Sequence, residues 1–216
     1  MSFNPVMPPT PAHWVLDANI LFSEWGRWLM VTLADAAPAN LYWTELIEEE
    51  CYRNLVRLGR IHPEDASQQR RVLFTHMNAK VESAPGETLA LDLKSVHEKD
   101  RHVAATALSL RHRHNTPVGL ITWNIKDFPK RALLKLGVVR YTPDELALDV
   151  WKTAQQGLNG LQTASQNMIL FHAECPVMHV TDYQQKARPL PVSENDWLEF
   201  LGRNRLHKLS RLLTKG

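Results

Sequence analysis

Two apolar patterns alternate along the first two-thirds of the chain: short unbroken runs, and longer stretches with an apolar residue every third or fourth position. The runs Trp14-Val15-Leu16, Leu41-Tyr42-Trp43, Val118 to Thr122 and Val138-Val139-Arg140 predict short strands. A strand apolar on both faces belongs in a parallel sheet covered by helices. Helical spacing predicts helices over 20–33, 45–58, 62–78, 101–114, 129–136 and 143–156, with a short helix or loop over 87–98. Phe22, Trp25, Leu29 and Leu33 share one face of the first, and Val72, Leu73 and Met77 supply core residues from the third. In the second, Leu46, Ile47, Glu50, Cys51, Asn54 and Leu58 fall on one side, so Glu50 lies on the apolar stripe while Glu45, Glu48 and Glu49 lie off it. The fourth places Val103, Ala107 and Leu110 toward the sheet, with Ala104 and Ala105 small enough for close packing. Strands alternating with helices predict an α/β domain.

Local chemistry punctuates this pattern. Asp100 stands at an N-cap position, where a short carboxylate accepts from the free N–H groups of the first turn. Thr44 does the same for the second helix, and Asn115-Thr116-Pro117 ends the fourth, because proline disfavours helix in the residue before it. Ala84-Pro85-Gly86 breaks the chain. Four prolines make residues 1–12 a flexible arm, and residues 13–146 hold the α/β pattern. Residues 147–216 form a C-terminal extension in which 157–192 give no clear periodicity. Ser193-Glu194-Asn195-Asp196 resembles a capping box, and Trp197, Phe200, Leu201, Leu209 and Leu212 or Leu213 then mark an amphipathic helix.

Composition narrows the setting. Hydrophobic residues at 44% and charged residues at 22% suit a globular chain, and no apolar run approaches the length that spans a bilayer. The proline-rich start lacks the charged and apolar regions of a secretory signal. Cys51 and Cys175, far apart in sequence, suit a reduced cytoplasmic protein better than a disulfide scaffold. His112 and His114 lie two apart on a helix and make a poor metal pair. The net charge of +2 conceals an asymmetry, −6 over residues 1–50 and +8 over the rest. An acidic cluster beside a basic surface suits a cation site next to a polyanion track. Arg203, Arg205, Lys208, Arg211 and Lys215 of the terminal helix are candidates for that track, or else form an ordinary solvated face.

Asp17 and Asp127 lie past the ends of predicted strands, where ligands bind in open α/β sheets. Glu50 is an acid on an apolar stripe, and burying a carboxylate costs several kcal/mol unless it is paired or bound to a cation. With Asp100 these acids are expected to meet at one sheet edge. Four carboxylates together raise one another's pKa unless cations compensate, and an all-oxygen site selects hard ions such as Mg²⁺ or Mn²⁺. One or two such ions activate water and stabilise charge on a phosphodiester. No serine or cysteine triad and no phosphate-cradling glycine loop stands out. A phosphatase of the haloacid-dehalogenase type wants a second aspartate two residues after the first, where this chain has Asn19.

The stretches VLDANILFS at 15–23, WTELIEEECYRNL at 43–55, DRHVAATAL at 100–108 and TWNIKDFP at 122–129 together resemble the PIN-domain nucleases, and among them the VapC-like toxins of type II toxin–antitoxin pairs. The resemblance covers most of residues 14–146. It implies a three-layer α/β/α sandwich with a short central parallel sheet and a helical C-terminal extension. It also implies endoribonuclease activity dependent on Mg²⁺ or Mn²⁺, an RNA substrate and a cognate antitoxin, and it leaves a homodimer open. Position by position it points to Asp17, Asp100 and Asp127 as metal-binding catalytic acids, with Thr122 and Asn124 as supports; Asn19, two residues past Asp17, is placed either to support that carboxylate or to cap the helix. Glu50 is favoured as the fourth acid by its distance from Thr44 and by helical phase. A non-catalytic RNA-binding module on the same fold is the competing expectation.

Overall fold

The computed structural model describes residues 10–37, 39–65, 77, 79–83, 93–153, 179–181, 187–189 and 194–213. Five parallel strands form the central sheet: β1 (His13–Leu16), β2 (Asn40–Thr44), β3 (Lys80–Glu82), β4 (Val118–Ile121) and β5 (Val138–Tyr141). Their order is β3-β2-β1-β4-β5. The chain extends the sheet one way from β1, then returns past β1 to add β4 and β5 on its other side. The seam between β1 and β4 is therefore the topological switch point, where a crevice opens at the carboxyl ends of the strands. Trp14, Val15, Leu16, Leu41, Tyr42, Trp43, Val118, Leu120 and Ile121 are all buried, as expected of strands covered on both faces.

Helices flank the sheet and complete the α/β/α sandwich. They are α1 (Ala18–Phe22), α2 (Glu24–Ala36), α3 (Glu45–Arg57), α4 (Arg101–His114), α5 (Lys130–Lys135) and α6 (Pro143–Thr153). Beyond them lie the antiparallel strands β6 (His179–Thr181) and β7 (Ala187–Pro189), then α7 (Glu194–Arg203) and α8 (His207–Leu213). Helix α6 runs across the boundary expected at residue 146.

Several local expectations need correction. The helix expected over 20–33 is two helices, because Ser23 is extended and its hydroxyl accepts from Gly26 N at 3.1 Å, starting α2 afresh. Thr44 caps α3 through its side chain, but the buried stripe of α3 is Ile47, Cys51 and Leu55 with Glu48 and Tyr52. Leu46 and Leu58 are exposed. Strand β3 had no apolar signal, since Lys80-Val81-Glu82 is a short, mostly exposed edge strand. The single terminal helix is two, divided at Arg205, whose φ is 61°. Residues 1–9, most of 62–78 and 84–92, and most of 157–192 lie outside the described residues, as do the side chains of Trp25, Val72, Leu73, Trp197, Phe200, Leu209, Leu212, Leu213 and Lys215. Met77 is buried, and Asn115 closes α4 in the left-handed conformation.

Candidate active site

Asp17 and Thr122 are the first residues past β1 and β4, and the ladder continues through both. Asp17 N donates to Ile121 O at 3.1 Å, and Thr122 N donates to Tyr141 O at 3.0 Å. This holds their side chains next to one another over the switch point. Oδ2 of Asp17 accepts from Thr122 Oγ1 at 2.6 Å and from Asn19 Nδ2. Asn19 Nδ2 also reaches Thr122 Oγ1 at 3.1 Å, and Asn19 Oδ1 accepts from Trp123 N at 3.1 Å. Asp17 precedes α1 without spending its side chain on a cap. Its carboxyl is only 4% exposed, and burial, reinforced by the charges of Glu50 and Asp100, pushes its pKa up to about 6 against the pull of the Thr122 hydrogen bond.

Asp100 closes a 3₁₀ turn over Glu98–Asp100 and directly precedes α4. The expected cap is not made: the residue sits at φ −104°, ψ 0° with no side-chain hydrogen bond to the helix. The carboxylate is thereby left for other work. It is 5% exposed, and its Oδ2 receives no hydrogen bond from any described residue. Burial raises its pKa, opposed by the ammonium of Lys99 and helped by the charge of Asp127, by side-chain contact with the Asp127 carboxyl and by the charge of Glu50.

Glu50, half-buried on α3, faces His102 of α4, with Oε2 3.5 Å from Nε2. The ring beside it holds the Glu50 carboxyl below the usual range. Burial pulls the His102 pKa down, but the Glu50 carboxylate outweighs burial and leaves it raised. His102 Nδ1 lies 3.0 Å from Lys99 O, which fixes the ring against the turn that carries Asp100.

Asp17, Asn19, Glu50, Asn54, Lys99, Asp100 and Asn124 line one cavity of about 290 Å³, with Ala18 and Phe22 as its apolar wall. Three of the four expected acids thus share a cavity at the switch point, delivered by three separate chain segments. The fourth, Asp127, is not on the cavity wall. It is tied to it by two wall residues, accepting from Asn124 Nδ2 at 2.7 Å and lying 3.5 Å from Lys99 Nζ. Asn124 holds the Asp127 carboxyl below its ordinary range, aided by Lys99. His97 N donates to Asp127 O at 3.3 Å and joins the two acid-bearing loops.

The donor chemistry fits a hard cation, since every acid offers oxygen and Asp100 has a buried, unbonded one. As the side chains stand, however, no three acid, histidine or cysteine side chains among the described residues come close enough together to hold an ion. Of the basic residues expected to contact RNA, Arg203, Arg205, Lys208 and Arg211 are exposed on α7, α8 and the corner between them, and Arg203 pairs with Glu199 of its own helix. Sequence reasoning missed Lys99 and His102. Their only signal was adjacency to Asp100, and helical phase cannot follow a side chain through the 3₁₀ turn that places Lys99.

No family model, curated protein or solved structure matches the chain. No helix among the described residues is long and apolar enough to cross a membrane.

Proposed function

We propose that this chain is a divalent-metal-dependent endoribonuclease of the PIN-domain type, acting as the VapC-like toxin of a toxin–antitoxin pair. The observation that carries the reading is the meeting of Asp17, Glu50 and Asp100 in one cavity over the β1–β4 seam, with Asp127 bonded to its rim. The four motif-like stretches supply those same residues in order. Under this reading Asp17, Glu50, Asp100 and Asp127 would hold one or two Mg²⁺ or Mn²⁺ ions, and the bound metal would supply water activation and charge stabilisation at the phosphodiester. The chain's own part is orientation. Thr122 and Asn19 hold Oδ2 of Asp17, His102 steers Glu50 and Asn124 steers Asp127. The reading brings with it a cytoplasmic setting, an RNA substrate and a cognate antitoxin.

The test is cleavage of an RNA panel in Mg²⁺ or Mn²⁺ against an EDTA control. Asp100→Asn is expected to lower cleavage at least about a hundredfold while the far-UV spectrum and melting temperature stay near wild type, in line with the loss of a metal-site carboxylate. Undiminished cleavage by folded Asp100→Asn protein removes the proposal. A non-catalytic RNA-binding module is the second reading, favoured by the spacing of the acids as they stand. The two separate on whether Mn²⁺ raises the melting temperature, because a ligand that binds only the native state stabilises it.

A further inference from the structure

The cavity holds a cation of its own. Lys99 Nζ lies 3.5 Å from Asp127 Oδ2 and 3.9 Å from Asp100 Oδ2, while its side chain remains 63% exposed. The backbone beneath it is anchored, with Lys99 O against His102 Nδ1 at 3.0 Å. The ammonium thus rides on a flexible stem from a fixed point, between two carboxylates that belong to different loops. A compact ammonium neutralises both without satisfying either, since Asp100 Oδ2 still lacks a hydrogen bond. We propose that Lys99 is a tethered counter-ion that a divalent cation must displace from Asp100 and Asp127.

The inference rests on the metal-dependent reading above. It adds that divalent affinity is set partly by the eviction of Lys99 from its two ion pairs. The two carboxyls also contact each other directly, so one ammonium beside the pair offsets the repulsion between them. Once evicted, the same amine is free at the cavity wall, where the phosphate of a bound polyanion would meet it.

The experiment compares Mn²⁺ binding by calorimetry in the full chain for wild type, Lys99→Met, Lys99→Arg and Lys135→Met. Lys135, exposed on the last turn of α5, controls for net charge alone. Lys99→Met is expected to bind Mn²⁺ about three- to tenfold tighter, the range set by a pair of partly exposed ion pairs. Lys99→Arg and Lys135→Met are expected to match wild type. In EDTA, Lys99→Met is expected to melt about 1–3 °C lower, since the acids then lack any counter-ion. Binding by Lys99→Met but not by wild type supports the inference most strongly. Equal or weaker binding by Lys99→Met, with wild type binding normally, overturns the lysine's role and leaves the metal reading standing. An unchanged or raised melting temperature in EDTA also overturns it. Absence of Mn²⁺ binding from wild type and Lys99→Met alike overturns both.

Discussion

Asp17 shows how a single residue ties stability to chemistry. Both side-chain hydrogen bonds it accepts end on Oδ2, so an asparagine there can present its carbonyl to Thr122 and Asn19 unchanged. Its folded pKa, raised to about 6 chiefly by burial, means that the folded state favours the protonated acid. The associated stability is full below about pH 4 and is lost as the pH rises through 6. Asp17→Asn is therefore expected to stabilise the protein at pH 7.5 in EDTA by on the order of 2–3 kcal/mol, and to differ little from wild type near pH 4. Urea melts at the two pH values measure this, and a variant no more stable than wild type at pH 7.5 contradicts it. The same variant should lose any stabilisation by Mn²⁺. The glutamates of α3 divide by environment. Glu50→Gln is expected to abolish cleavage with the fold intact, and exposed Glu45→Gln to change little. Glu48, expected on the solvent side, is instead buried and accepts from Trp43 Nε1 at 3.1 Å. Glu48→Ala is thus expected to cost about 1–3 kcal/mol of stability by stranding that donor, with little change in rate per folded molecule.

At the scale of elements, the break at Ser23 positions Asn19. Without it α1 and α2 would run as one rod, and the hydroxyl that starts α2 also brings Gly26 against the end of α1. A Cβ at Gly26 would stand 2.6 Å from Ile20 O, a backbone atom one residue past Asn19. Gly26→Ala is therefore expected to lower stability by about 1–3 kcal/mol, and to disturb the Asn19 amide more than the distant strands. Thermal melting together with the amide chemical shifts of Trp123, whose N–H donates to Asn19, measures both effects. Much of the layout was legible because its signals are local: apolar runs for β1, β2, β4 and β5, Thr44 as a cap, Pro129 before α5. The break at Ser23 was not, since Phe22, Leu29 and Leu33 keep a plausible helical phase across it. Strand β3 was invisible because an edge strand needs no apolar residues, only a partner, and Tyr42, Trp43 and Thr44 supply one. The stripe of α3 was misjudged by about one position, yet Glu50 lines the cavity, because a residue at the border of a buried face can point into a crevice. Lys99 and His102 went unread because their roles depend on Asp127 and Glu50, which are distant in sequence.

Across the whole molecule, α6 fastens both ends of the described chain to the sheet. Asp149 accepts from Tyr141 Oη at 2.8 Å and from Thr10 Oγ1 at 3.2 Å, so the tail of the proline-rich arm is pinned rather than free. Asp144 lies three residues past β5, at the sheet edge that carries the acids, and both of its oxygens accept from Lys208 N, at 3.0 and 3.1 Å. A carboxylate of one helix thus caps the start of another, and Leu201, Asn204 and Leu206 bury the corner that leads into it. Helix α8 is consequently held against α6 beside the end of β5, and under the proposed reading its basic residues are candidates to meet a polyanion. Each phosphate contact to a single strand contributes about 0.7 to the slope of log affinity against log salt. Arg203 pairs with Glu199 of its own helix, and Arg205 and Lys208 are exposed at the corner and at the start of α8. Replacing Arg203, Arg205 and Lys208 together with glutamine is expected to weaken RNA binding and flatten that slope by about 1–2, with Mn²⁺ affinity unchanged. Asp144→Ala should reproduce part of the loss without removing a positive charge, because it uncaps α8. Filter binding of a labelled RNA across a salt series reads both effects. A triple variant that binds like wild type at every salt concentration would falsify the RNA role and leave α7 and α8 as packing for α6.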